Sequence, residues 1–206
     1  MAPGPDSNET LAAKVDRGKR AARRHDIFNL VLIPPLVGLT FWSLLRPSEL
    51  IHQLLSGSTM GYVACDVVYN TIDPQCQPGK FRLSTILFHH FVTMWLVLHP
   101  WQHPENGHLT AYSTVVELNT LFITLQRLFK SKFCQMGFYA TWLSMRLMWY
   151  PYLIRRYHNA IVQWGAAPLT YTWWQVVGSQ CVLVGLNFVW TGEVLYGMLR
   201  RKRKAG

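Results

Sequence analysis

Acidic residues are scarce in this chain: ten Asp and Glu stand against twenty Lys and Arg, and charged residues of both signs make up only 15% of its 206 positions. The charges gather at the two ends and leave long apolar blocks between them, which argues for membrane spans rather than a soluble core. Cysteine is sparse too. Cys65, Cys76, Cys134 and Cys181 form no C-x-x-C and show no spacing that suggests zinc or a disulfide framework. The first 26 residues hold no apolar run of the kind a cleaved leader carries, so no signal peptide is expected. The net charge of +10 sits beside apolar segments. That placement fits membrane orientation and anionic headgroups, and it argues against nucleic acid as a partner.

What is present is apolar and aromatic: half of the residues are hydrophobic, with nine Trp, nine Tyr and ten Phe. A helical span needs about 17–25 apolar residues, and six stretches qualify: 27–45, 51–71, 83–98, 111–128, 133–154 and 171–199. The expected organisation is a basic cytosolic tail (1–26), a six-helix membrane domain (27–199) and a basic cytosolic tail (200–206). Within the first tail, 2–10 reads as disordered and 11–24 as a basic surface helix or a solvated stretch. Pro34-Pro35 predicts a bend or a break in the first span. The second span is diluted by Gln53, Ser56, Ser58, Thr59 and Asp66, so it should pack inward.

Sidedness follows from the basic residues. With both termini on one side, that side collects sixteen of the twenty Lys and Arg, including Lys80, Arg82, Arg127, Lys130 and Lys132. The other side keeps Arg46, Arg155 and Arg156, and Arg146 lies inside the fifth span. Such a bias predicts cytosolic termini. The one N-x-S/T sequon, Asn8-Glu9-Thr10, then stays unglycosylated. The segment 99–110 (HPWQHPENGHLT) falls on the far side. Its H-x-x-x-H spacing would be a metal pair on a helix, but Pro100 and Pro104 disfavour one, and an interfacial loop with no metal is expected.

Ionisable groups inside spans cost about 2.5–3.5 kcal/mol for a central Asp or Arg, so they face an interior and find partners. Here they are Asp66, His89, His90, Glu117, Arg146 and Glu193. Helical spacing places Tyr62, Asp66, Tyr69 and Asp73 on one face. Thr85, His89 and Thr93 share another, as do Glu117, Thr120, Thr124 and Arg127, and Tyr139, Trp142, Arg146 and Tyr150. Four striped helices predict a partly polar interior, open toward the cytosolic leaflet. Adjacent histidines diverge by about 100° on a helix. One imidazole is expected in the cavity, with His89 favoured by its face, and the other bonded to a neighbouring helix. A purely structural, helix-linking role for the pair stays open beside a chemical one. Arg146 reads as a counter-ion to Glu117 or Asp66, and Glu193 as solvated or paired with the basic tail.

Three blocks in order, GYVACDVVYNT (61–71), LSTILFHHFVTMW (83–95) and ELNTLFITLQRL (117–128), resemble the TLC-domain family. That family carries an Asp in one span, a His-His in the next and a Glu-led block in the one after. The resemblance implies an all-α fold, a polytopic six-helix barrel-like bundle around a lipid-accessible cavity. Ceramide synthases belong to the family and use paired histidines to N-acylate a sphingoid base from acyl-CoA. Carried over, His89 or His90 would be nucleophile or general base, with Asp66 or Glu117 orienting it. Lys80, Arg82 and Arg127 would meet the phosphates of acyl-CoA as co-substrate, with no resident cofactor. Tyr62, Thr93, Thr120, Thr124 and Arg146 would line the cavity for a membrane lipid. The chain departs from ceramide synthases at TAYSTVVELNTLF, where Tyr112 and Ser113 stand near positions expected to be acidic. It also lacks their extra first span and homeobox-like insertion, and so looks closer to the small TLC members. A non-catalytic lipid binder and a transporter or cargo receptor therefore stay open beside acyl transfer. The ending KRKAG fits K-x-K-x-x and resembles the dilysine retrieval signal of endoplasmic reticulum proteins. Oligomeric state is not legible.

Overall fold

The computed structural model describes residues 11–165 and 167–205, and every regular element among them is helical. The elements are α1 (Leu11–Leu45), α2 (Glu49–Ile72), α3 (Lys80–Gln102), α4 (His108–Thr114), α5 (Glu117–Phe129), α6 (Lys132–Thr141), α7 (Tyr150–Gln163), α8 (Tyr171–Trp173) and α9 (Ser179–Ala205). Short 3-10 turns at Pro74–Cys76 and Pro104–Asn106 follow α2 and α3. Wide π-helical turns at Trp142–Trp149 and Trp174–Gly178 join α6 to α7 and α8 to α9. The result is six rods: α1, α2, α3, then 108–129, 132–163 and 171–205. The stretch 2–10 with its sequon at Asn8, and the terminal Gly206, lie outside the described residues.

The local chemistry sets the rod ends. Ser48 caps α2 by accepting from the Ile51 amide at 3.3 Å, with Glu49 in the first turn where the helix dipole favours an acid. Lys130 takes a left-handed conformation (φ 49°) and Ser131 caps the next helix, so α5 and α6 fold back on each other. Gly137 makes that hairpin close: a Cβ there would stand 2.4 Å from the Phe122 ring.

The rods close into a ring. α1 packs on α2 and α5, α2 on α3, α3 on α9, α9 on the rod containing α7, and α6 of that rod on α5. The order around the bundle is one, two, three, six, five, four. At one end α4 reaches α1, α2, α3 and α7 and fills the middle. An apolar core lies there, with Leu96, Leu109, Leu153, Tyr157, Ile161 and Val177 fully buried. Hydroxyl pairs bind that end together: Ser56 with Thr110 at 2.8 Å, Thr40 with Thr114 at 2.9 Å, Ser113 with Tyr157 at 2.7 Å. The outside is apolar. Trp42, Val68, Phe91, Met148 and Phe188 all stand more than half exposed. The inside holds as many polar as apolar side chains, twenty-four of each among the described residues. A water-soluble fold does the reverse, and a hydrocarbon solvent explains the arrangement.

Two rods contain a helix long and apolar enough to cross a membrane unaided, Ala12–Leu45 and Lys80–Gln102. The others are interrupted by π or tightened turns or, like α2, diluted by inward polar groups. Three expectations are corrected. The break at Pro34-Pro35 does not occur: α1 is continuous, with Ile33, Leu36 and Val37 buried on either side of the prolines. The helix also runs through residue 26 without interruption. The basic stretch from Leu11 forms the first turns of α1, where Ala21, His25 and Asp26 are buried and the helix packs on the turn Pro74–Cys76. The interfacial loop 99–110 is largely helical, because Pro100 sits inside the last turn of α3 and Pro104 starts a 3-10 turn. His99 and His103 therefore do approach, with ring centroids 4.8 Å apart. Similarly, rod five runs on to Gln163 instead of stopping at 154, since Tyr150, Leu153, Tyr157 and Ile161 keep one buried face at helical spacing.

Candidate functional site

At the end opposite the apolar core, the ring encloses a cavity of about 120 Å³. Among the lining residues is Asp66 on α2, whose carboxylate accepts from three neighbours. His90 Nε2 on α3 lies 2.5 Å from Oδ2, His25 Nε2 on α1 lies 2.6 Å from Oδ1, and Asn70 Nδ2, one turn along α2, lies 2.9 Å from Oδ2. All four residues are buried. An Asp on a membrane helix is costly unless its oxygens are taken up; here one side chain ties α1, α2 and α3 together.

That arrangement fixes His90. With Nε2 donating to Asp66, Nδ1 carries the lone pair, and it is buried without a hydrogen-bond partner. His89 also lines the cavity, so both imidazoles face it rather than one. His89 packs edge-on against Trp190 of α9 at 5.3 Å between centroids, and its Nδ1 is likewise buried and unpartnered. His90, not His89, is the one bonded to a carboxylate. Thr93, one turn on, adds a third buried polar atom without a partner.

Across the cavity lies Arg146, in the π-helical turn of rod five. Its guanidinium donates to Asn119 at 2.7 Å, to Asn187 at 2.8 Å and to Thr120 at 3.2 Å. It also stands over the rings of Trp142 and Trp190. The expected ion pair with Glu117 or Asp66 does not form; among the described residues Arg146 has no carboxylate within 4 Å. Neutral amide oxygens satisfy the cation because Asn119 and Asn187, on two different rods, converge on its fork. Glu117 lines the cavity and makes no ion pair within 4 Å among the described residues.

Toward the surface, the cavity continues into a groove of about 430 Å³ that shares Gln77, Arg82 and Arg127 with it. Both arginines are paired, Arg82 with Glu193 at 3.1 Å and Arg127 with Asp26 at 3.1 Å. Glu193, expected to be solvated or to meet the basic tail, meets Arg82 instead.

Of the residues singled out in the sequence, His89, His90, Asp66, Glu117, Arg82, Arg127, Tyr62, Thr93, Thr120, Thr124 and Arg146 all line this one cavity. Lys80 does not; it is exposed at the first turn of α3. Sequence reasoning missed His25, Asn29, Asn70, Asn187 and Trp190. His25 and Asn29 were legible as the continuation, in steps of four, of a face that starts at Ala21. The tail boundary placed at 26 hid that face. Asn187 and Trp190 lie three apart on α9, in a span read only as apolar.

Residues 50–196 match the TLC domain. The chain belongs to the TLC-domain family. Membership carries an integral membrane location and a lipid-related role. The TLC match begins at α2, so α1, with His25 and Asn29, lies outside it. No curated protein and no solved structure matches the chain.

Proposed function

We propose that this TLC-domain protein transfers an acyl group from acyl-CoA to an amine or hydroxyl of a membrane lipid, with His90 as general base. The observation that carries this reading is the pairing of one ring nitrogen of His90 with Asp66, while the other stays buried without a partner in a side chain that lines the cavity. A carboxylate that holds a histidine in one tautomer readies the opposite nitrogen to take a proton. In the step proposed, Nδ1 removes the proton from the acceptor N–H or O–H as that atom attacks the thioester carbonyl. The carbon–sulfur bond then breaks, and the leaving thiolate regains the proton from the imidazolium.

The cavity's size narrows the substrate. A volume of about 120 Å³ suits a headgroup or a thioester carbonyl, not an acyl chain. The chains would lie in the bilayer between rods, and the CoA phosphates would sit in the outer groove near Arg82, Arg127 and Lys19. Lys80, which lines neither space, drops out of that role. The Lys/Arg bias supports cytosolic termini.

A second reading, a lipid-headgroup binder without catalysis, is favoured by the partners that Asp66 and each nitrogen of Arg146 already find within the protein. Lipid profiles of cells making equal amounts of wild type, His90→Gln and Asp66→Asn separate the two. Gln keeps a donor for Asp66 but has no basic nitrogen. Acyl transfer predicts that an acylated lipid rises with wild type only. A lipid change that survives both substitutions supports binding alone.

A further inference from the structure

Two of the three arginines on the Lys/Arg-poor side of the chain, Arg155 and Arg156, line one cavity of about 410 Å³ at the apolar-core end of the bundle. Charge at that side needs a reason, since membrane proteins keep Lys and Arg on the cytosolic side. The cavity walls also include His108, Tyr152, Asn159 and Gln163, and no Asp or Glu. It is separate from the Asp66 site: Arg146 belongs to that site, and Arg155 lies nine residues further along the same rod.

The wall is built, not incidental. Arg156 Nη2 donates to the Tyr112 hydroxyl at 2.7 Å, and its guanidinium stands 4.5 Å over the Tyr112 ring. Tyr112 is fixed in turn, with Trp149 edge-on at 6.1 Å and the Trp149 indole donating to the Tyr112 carbonyl at 2.9 Å. His108 meets the same ring in a T-shaped contact at 5.7 Å. Arg156 is thus held in place with donors to spare, while Arg155 is exposed beside it and makes no ion pair among the described residues. Two guanidiniums, amide donors and no acid make a site for a phosphate oxygen cluster. Below the cavity, toward the bundle's middle, the same rod presents exposed Tyr152, Met148 and Leu143 in succession. An apolar strip leading to a cationic cavity matches a lipid whose tails run along the rod.

We propose that this cavity binds the phosphate of an anionic phospholipid headgroup from the leaflet opposite the Asp66 site. The test is native mass spectrometry of the full-length protein in detergent, challenged with phosphatidylglycerol or with diacylglycerol of the same tails. Wild type should retain phosphatidylglycerol and not diacylglycerol. Arg155→Gln, which leaves the Tyr112 contact intact, and Arg155→Gln/Arg156→Gln should each retain it about tenfold less, as expected for losing a charge-assisted pair. Thermal unfolding of the same variants checks that they fold. Competition by glycerol phosphate would keep the phosphate chemistry and assign it to a soluble ester. Equal retention of the two lipids by wild type, or unchanged retention by a folded double variant, would overturn the site.

Discussion

His25 and Asp66, forty-one residues apart in the chain, meet at 2.6 Å inside the bundle, both buried. The contact joins a helix outside the TLC match to the matched domain, and it occupies the carboxylate oxygen that His90 leaves free. Removing the imidazole should strand a buried acceptor, which costs about 1–3 kcal/mol. His25→Ala should therefore lower the thermal midpoint of the detergent-solubilised protein. Replacement of the exposed neighbour Arg23 should leave it in place.

Arg146 ties rods four, five and six through Asn119, Thr120 and Asn187. Lysine keeps the charge but offers one compact donor in place of a planar fork, so Arg146→Lys is not conservative here. We expect a loss of about 2 kcal/mol, read as unfolding in a denaturant or temperature series, because at least one amide oxygen is left without its charged donor.

Gly107, in the turn before α4, packs directly against His52 of α2. A Cβ there would stand 2.2 Å from the Cβ of His52, a clash that side-chain rotation cannot relieve. Gly107→Ala should cost about 1–3 kcal/mol through forced backbone shifts. Gly61→Ala on α2, where a Cβ meets nothing within 4 Å, should be neutral or slightly stabilising. The difference between their melting temperatures is the measurement.

The periodicity that placed Asp66, Glu117, Thr124 and Arg146 on inward faces was readable because a membrane helix can hide polar atoms only among its neighbours. The six spans were readable for the same reason. What was not readable depended on packing between distant segments. His25 reads locally as part of a solvated basic run, since nothing near it in the chain shows that Asp66, Tyr69 and Asn70 of α2 meet it. Spacing points to acids as the partners of Arg146, because it places charges on faces but cannot say that two asparagines on other rods reach the guanidinium first. Pro100 looked like a helix stop, yet near the C-terminal end of α3 the bundle tolerates it.

Sidedness has a direct test at Asn8. With the Lys/Arg-rich end in the cytosol, Asn8 never meets the lumenal glycosylation machinery, and glycosidase treatment should leave the protein's mobility unchanged. A shift would place the N-terminus in the lumen and put the mouth between Arg82 and Arg127 on the wrong side for acyl-CoA.

The most direct measurement is acyl transfer by purified protein in vesicles containing amine- and hydroxyl-bearing lipids, supplied with acyl-CoA. Wild type should form an acylated lipid, and His90→Gln should slow it by about 10²–10⁴-fold, the usual worth of a positioned base, at unchanged fold. No acylated lipid from wild type with either acceptor class, or an undiminished rate in His90→Gln, would contradict a base at His90 oriented by Asp66.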